Sequence, residues 1–176
     1  MDHRNFYCRM KGKDLNVAKD SYLEEDLPGL LVAGITREEN PERAALDMQE
    51  LAGDRPLWLE IGFGGGEHLV HQALQNPDVQ FLGVEPYVNG VAMLLVKMRK
   101  AGVNNIKLHM GDARNLMDVL PDETVSKAFL LYPDPWPKLR HHRRRFVTPE
   151  HLIPLNRCLK IGAEFRVATD IEDYVR

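Results

Sequence analysis

No stretch of this sequence approaches the ~18 uninterrupted apolar residues of a membrane span. Its opening, Met1-Asp2-His3-Arg4-Asn5, leads into no apolar run of a secretory signal. Cysteine is scarce. Cys8 and Cys158 form no metal-type spacing, and a reduced, cytoplasmic protein is the expectation, with one disulfide between them left open. There is no internal repeat and no low-complexity tract. A hydrophobic fraction of 44% beside a charged fraction of 28% excludes a wholly disordered chain. Nor is one sign of charge in excess: 23 Lys+Arg against 26 Asp+Glu leave a net charge of -3. That total argues weakly against a nucleic-acid partner, but the local distribution of charge argues the other way. At 176 residues there is room for one domain with a sizeable core and too little for two ordinary ones.

The chain changes texture near residue 57. Residues 1–40 read as a flexible, basic and polar N-terminal segment. Its first part, 1–21, is expected to be extended and loosely held, with Arg4, Arg9, Lys11, Lys13 and Lys19, and a leucine-bearing stretch follows at 22–32. Residues 41–176 read as the folded domain. It starts with a helix over 41–51, in which Asn40 caps and Pro41 takes the first helical position. From Leu57 onward, strands are predicted at 57–61, 79–84, 106–110, 125–132 and 164–169. Helices are predicted between them at 67–76, 88–100 and 113–120, and one more from Thr148-Pro149-Glu150, kinked or delayed by Pro154 and ended by Gly162. Leu69, Val70, Ala73 and Leu74 share the inner face of the first of these helices; Val91, Ala92, Leu95 and Val96 share that of the second. Five strands with helical crossovers predict an α/β fold with a parallel, doubly wound sheet, and ligands in such sheets lie beyond the strands' carboxyl ends.

At the first of those ends stands Glu60-Ile61-Gly62-Phe63-Gly64-Gly65-Gly66. Four glycines in five residues exceed what a plain turn needs, and they let the backbone approach a ligand closely. A dinucleotide turn wants a glycine where Glu67 stands. Carboxylates on both sides of the turn, Glu60 and Glu67, repel phosphate and attract a cation. The second strand ends in Glu85, placed to accept the hydroxyls of a ribose. The third ends in Gly111-Asp112, where Asp112 caps the next helix and still has an oxygen for an adenine amine. Together these fit a nucleoside cofactor without phosphates, for which S-adenosyl-L-methionine is the common choice.

The fourth strand ends in Tyr132-Pro133-Asp134-Pro135-Trp136-Pro137-Lys138. Three prolines stiffen the loop that carries Asp134, Trp136 and Lys138. Lys138, Arg140, Arg143, Arg144 and Arg145 then place five of the 23 basic residues in eight positions without an acid. Beside a candidate site, such a run reads as an anchor for a phosphate backbone. His141 and His142 have no further ligand spacing, so no metal is expected. Asp170, after the fifth strand, reads equally as a helix cap or a substrate contact.

These residues carry a resemblance. The glycine turn, Val84-Glu85-Pro86, Gly111-Asp112-Ala113 and, most narrowly, Tyr132 to Lys138 with its basic run are similar to the bacterial tRNA (guanine-N7)-methyltransferases, over residues 57–174. Arg9-Met10-Lys11-Gly12-Lys13 resembles that family's basic N-terminal stretch less strictly. The resemblance implies a Rossmann-like class I methyltransferase fold and transfer of a methyl group from S-adenosyl-L-methionine to guanosine N7 in the tRNA variable loop, with S-adenosyl-L-homocysteine as product. It implies cofactor binding by Glu60, Gly62, Gly64, Glu85, Asp112 and Asp134, and catalysis by Asp134. Substrate binding is implied for Lys138, Asp170, Arg140, His141, His142, Arg143, Arg144 and Arg145. The partner implied is tRNA, with no membrane and a monomer or homodimer. The last two strands of that fold are expected to be missing, which would leave the fifth strand at an edge.

Guanine N7 carries a lone pair and no proton, so catalysis is expected to be positioning and electrostatics. Asp134 would accept from N1–H and the amino group. Lys138 would donate to O6 or bind phosphate, and Trp136 would stack on the base. Three rival readings stand beside this one: an RNA-binding protein of this fold without turnover, a class I methyltransferase acting on another base or on protein, and a NAD-type oxidoreductase.

Overall fold

The computed structural model describes Tyr7, residues 10–15 and residues 17–174. Five strands, β1 (Leu57–Ile61), β2 (Gln80–Val84), β3 (Ile106–His109), β4 (Val125–Leu131) and β5 (Leu159–Ala168), form one sheet. Its order is β3-β2-β1-β4-β5, and every pairing is parallel. The helices between strands are α4 (Glu67–Gln75), α5 (Val88–Ala101), α6 (Ala113–Met117) and α7 (Pro149–Cys158); α1 (Val17–Glu25), α2 (Leu27–Leu30) and α3 (Met48–Leu51) precede the sheet.

Alternation along each strand sends side chains to two cores. Leu57, Leu59 and Ile61 of β1 join Leu116, Met117 and Leu155 on the α6/α7 face. Phe81, Ile106 and Leu108 join Leu69, Val91 and Leu94 on the α4/α5 face. Leu59 and Leu82 are fully covered, and each such side chain stabilises the fold by roughly 1.5–3 kcal/mol. The strand order reverses at β1, with β2 on one side and β4 on the other. Crossovers from these neighbours leave in opposite directions, which opens a crevice at their carboxyl ends.

The elements differ from the sequence reading in five places. Residues 17–25 are helical rather than extended, and Leu23, Leu27 and Leu30 pack on the α4/α5 core. Ile35 is fully buried in the other core, and Leu31 bridges Leu108, so residues 17–40 are tied to the sheet; Arg4 and Arg9 lie outside the described residues. The helix expected over 41–51 is reduced to α3, capped by Asp47. Asn40 uses its side chain to bind Gly34 O, Ala44 O and Ala44 N, and Arg43 turns left-handed at φ 54°, so local side-chain bonds outcompete the helix. Third, α7 contains Pro154 without delay and stops at Cys158, not at Gly162. Fourth, β5 therefore starts early, and its register jumps from Val125↔Leu159 to Lys127↔Glu164 around Gly162. Fifth, α6 ends at Met117 rather than at 120. On the inner helical faces, Leu94 replaces Val96 in the fully buried set, and Leu74 faces solvent.

Candidate active site

A cavity of about 900 Å³ lies in the crevice. Its wall takes Gly62 and Gly64 from the end of β1, Glu85 from β2, Asp112 from β3, Asp134 and Trp136 from β4, and Arg143 and Arg144 from the basic run. Residues predicted separately along the chain therefore share one space.

The glycine turn forms the wall with its backbone. Gly62 and Gly64 have φ of 71° and 56°, and nothing lies within 4 Å of where a Cβ would stand at either. The turn is clamped from behind. Gly64 N donates to Glu85 Oε2 at 2.7 Å, and Tyr87 N donates to Glu85 Oε1 at 3.0 Å. Gly90, in the first turn of α5, lets that helix press against the loop, since a Cβ there would stand 2.4 Å from Gly64 O. Gly90 was not singled out from the sequence. Its signal was a glycine inside a helix, where it costs stability unless something approaches closely. Burial raises the Glu85 carboxyl above its usual range against those two backbone bonds, and the nearby Asp134 charge raises it further.

The two acids expected to flank the turn face elsewhere. Glu60 is buried on the α4 face, where its Oε2 lies 2.7 Å from His68 Nδ1, and it is not among the lining residues. Burial raises its pKa and the His68 hydrogen bond opposes the rise. Glu67 pairs with Lys97 of α5 at 3.0 Å. A one-residue step along a strand reverses the face, so Ile61 lines the cavity while Glu60 turns away.

Asp112 caps α6, accepting from Arg114 N at 2.9 Å. Its second oxygen is not idle, contrary to expectation. Arg114 Nε and Nη2 donate to Oδ2 at 2.8 and 2.6 Å. Glu150, also in the cavity wall, receives Arg114 Nη1 at 2.5 Å. Asp134 is exposed and, alone among the lining carboxylates, has no hydrogen bond or ion pair among the described residues.

The loop that carries Asp134 is strained. Tyr132 and Trp136 are non-glycine residues at φ 51° and 40°, conformations that persist only where the surroundings enforce them. Tyr132 N donates to Ala168 O at 2.7 Å, and Arg145 Nε donates to Pro135 O at 3.0 Å.

The basic run divides by partner. Arg145 is buried, donates to Asp173 O at 2.9 Å and to the Asp173 carboxylate at 3.0 and 3.1 Å, and lies over the Tyr174 ring. It fastens the proline loop to residues 172–174 and has no face for a phosphate, which corrects its expected role. His142 sits 3.6 Å from Asp173. Arg144 lies over both the Tyr7 and the Trp136 rings, 4.2 and 4.9 Å from their centroids. A face of Trp136 expected to receive a base thus receives a guanidinium. The His141 and Trp136 rings pack edge to face with centroids 5.8 Å apart, and burial together with Arg144, Arg140, Lys138 and Arg143 lowers the His141 pKa. Lys138, Arg140 and Arg143 are exposed cations without an ion pair among the described residues. Lys138 and Arg140 do not line the cavity. Asp170 is exposed outside the cavity as well; Thr169 Oγ1, not Asp170, accepts from Ile171 N. Among the described residues no helix is long and apolar enough to cross a membrane.

Comparison with known proteins bears on the family and the fold. A family profile described as "Putative methyltransferase" matches residues 54–176. The tRNA (guanine-N(7)-)-methyltransferase of Roseobacter denitrificans is 66% identical over 174 residues, covering 99% of this chain and 75% of that protein. The protein of the same name from Agrobacterium fabrum is 44% identical, covering 97% of this chain and 72% of its own length. Among solved structures, an antibiotic-related methyltransferase superposes with a TM-score of 0.56 at 17% identity, over 74% of this chain and 69% of that one. The 16S rRNA methyltransferase KamB does so with a TM-score of 0.53 at 22% identity, over 68% and 55%. At those identities the likeness is one of fold, the Rossmann-like class I methyltransferase fold.

Proposed function

The chain belongs to the bacterial tRNA (guanine-N7)-methyltransferase family, and from that premise we propose that it methylates N7 of guanosine in the tRNA variable loop, with S-adenosyl-L-methionine as donor and Asp134 as the catalytic residue. The observation that carries the assignment is Asp134: a carboxylate in the cavity wall with no hydrogen bond or ion pair among the described residues.

The cavity fits the donor on two counts. Gly62 and Gly64 leave open space where side chains would stand. Glu85 and Asp134 bring negative charge that no cation among the described residues neutralises, which suits a sulfonium and an ammonium group. When bound, S-adenosyl-L-methionine supplies a methyl group on positive sulfur. Glu85 binds the ribose hydroxyls with the lone pairs that its two backbone bonds leave over. Asp112 contacts the adenine amine from the end of β3.

Guanine N7 has no proton to lose, so Asp134 is not a base. It accepts from N1–H and the amino group, orients the base and offsets the positive charge the purine gains. Lys138, Arg140 and Arg143 hold the tRNA backbone, and Asp170 contacts substrate from the carboxyl end of β5. Glu60 and Arg145 act instead inside the protein, as positioning residues behind the site.

The test is methyl transfer to unmodified tRNA with the modified nucleoside identified by mass spectrometry. N7-methylguanosine is expected. A different methylated base, or none with tRNA and donor both bound, overturns the reading.

A further inference from the structure

Arg144 is held in the cavity wall by aromatic rings rather than by a carboxylate. Its Cζ lies over Tyr7 and Trp136, whose own rings pack edge to face with centroids 6.4 Å apart. A ring face attracts a guanidinium by its charge but offers no lone pair to the N–H groups. Nε is buried without a hydrogen bond, and the residue has no hydrogen bond or ion pair among the described residues. Arg114, in the same wall, spends its donors on Asp112 and Glu150. Arg143, also in the wall, is exposed and has no such aromatic support among the described residues. Arg144 is thus a donor both fixed and unspent. Asp134, two positions before Trp136, is an unspent acceptor in the same cavity, and no ion pair joins the two among the described residues.

We propose that Arg144 reads O6 of the target guanine, as the donor that complements Asp134 the acceptor, and so sets the purine specificity of methyl transfer. This rests on the proposed reaction at guanosine N7 and on Asp134 as the contact to N1–H and the amino group. Counted from N7, guanine presents an acceptor at O6 and then donors at N1 and the 2-amino group. Adenine presents a donor at N6 and then an acceptor at N1. Once N7 is held at the methyl group, the substituent at position 6 has a fixed place. Arginine donates and cannot accept, so an amine in that place sets hydrogen against hydrogen and leaves both groups unpaired. Lys138, expected to reach O6, does not line the cavity. Phosphate is the weaker occupant for Arg144, because Glu85, Asp112, Asp134 and Glu150 share the wall. Their charges repel an anion, whereas O6 belongs to a neutral base. Tyr7 and Trp136 are the positioning residues, since they hold the guanidinium without using its hydrogens.

The test uses three tRNAs that differ only at the target nucleoside: guanosine, inosine, and 2,6-diaminopurine riboside. Diaminopurine keeps the 2-amino group but carries an amine in place of O6; inosine keeps O6 and lacks the 2-amino group. Single-turnover kcat/KM for methyl transfer is read by mass spectrometry for the wild type and Arg144→Gln, with fold checked by circular dichroism. The wild type is expected to prefer guanosine over diaminopurine by about 50-fold or more. A glutamine amide can turn to accept as well as donate, so Arg144→Gln should lower that preference by about tenfold. The guanosine-to-inosine ratio reports Asp134 and should stay as in the wild type. The slope of log K against log[salt] for tRNA binding should change by much less than the value of about one expected for a lost phosphate contact. A structural role lowers all three substrates alike, and a phosphate contact does so with the slope reduced; either result overturns the proposal. Should Arg144→Gln not fold, Arg144→Met, which packs on the rings and donates nothing, must show the same fall in preference, and a wild-type ratio there overturns the proposal. A wild type that forms N7-methylguanosine but uses diaminopurine to within about threefold overturns this proposal alone. A wild type that forms no N7-methylguanosine overturns the reading beneath it.

Discussion

The two rims of the cavity are built on opposite plans. On the β1–β3 rim nearly every polar group is answered by the chain itself: Glu85 by two backbone N–H groups, Asp112 by Arg114, the glycine turn by α5. On the β4 rim Asp134 has no hydrogen bond or ion pair among the described residues, Tyr132 and Trp136 are strained, and Lys138, Arg140 and Arg143 are exposed cations. The first rim is preorganised for a small ligand of fixed shape, since its bonds are already made before anything binds. The second leaves its bonding capacity for a large, charged partner. Behind it the same run of residues supplies its own scaffold through Arg145 and the Arg144 clamp.

The largest effect should come from the unpartnered acid. Asp134→Asn is expected to lower kcat about 100-fold or more while donor affinity stays within a few-fold. Unchanged turnover would remove Asp134 from catalysis and erase the contrast between the rims.

Next, the basic run should split in two. Neutralising Lys138, Arg140 and Arg143 together should weaken tRNA binding and reduce the slope of log K against log[salt] by about 2–3, with the melting temperature unmoved. Arg145→Gln should do the reverse, destabilising the fold by roughly 1–3 kcal/mol. If Arg145→Gln changed the salt slope as much as Arg140→Gln did, the division by partner would be wrong.

A smaller effect is expected on the first rim. Gly90→Ala sets a methyl group against Gly64 O and should cost about 1–3 kcal/mol in thermal unfolding, with weaker donor binding and an unaltered salt slope.

The smallest is a pH effect. Burial and four nearby cations favour neutral His141. The stability from that preference is present above the ordinary histidine range and is lost as pH falls through the lowered value. Bound tRNA would favour the charged form instead. Affinity should therefore rise as pH drops toward about 6, and His141→Gln should flatten that rise. An identical pH profile in the variant would place His141 away from the RNA.

Much of this was legible in the residues. Alternation at Leu57-Trp58-Leu59, the glycine cluster and the proline-flanked Asp134 each report a local backbone requirement, and the strands, the turn and the stiff loop followed. The helix at 41–51 did not follow, because Asn40 had two ways to use its amide and the longer-range contacts of Arg43 with Asn115 and Asp118 chose the non-helical one. Identical-looking acids at Glu60 and Glu85 took opposite fates because one strand step separates a face toward α4 from a face toward the cavity.

By itself, then, the order of residues determined the parallel wound architecture, the family and the set of groups available for chemistry, because periodicity and turn chemistry act over a few neighbouring positions. Which of those groups were left free was decided only in three dimensions. Arg114 reached 36 residues along the chain to Glu150, and Arg145 reached 28 to Asp173. A charged side chain spends its bonds on whatever packing brings near, and no local pattern records that choice.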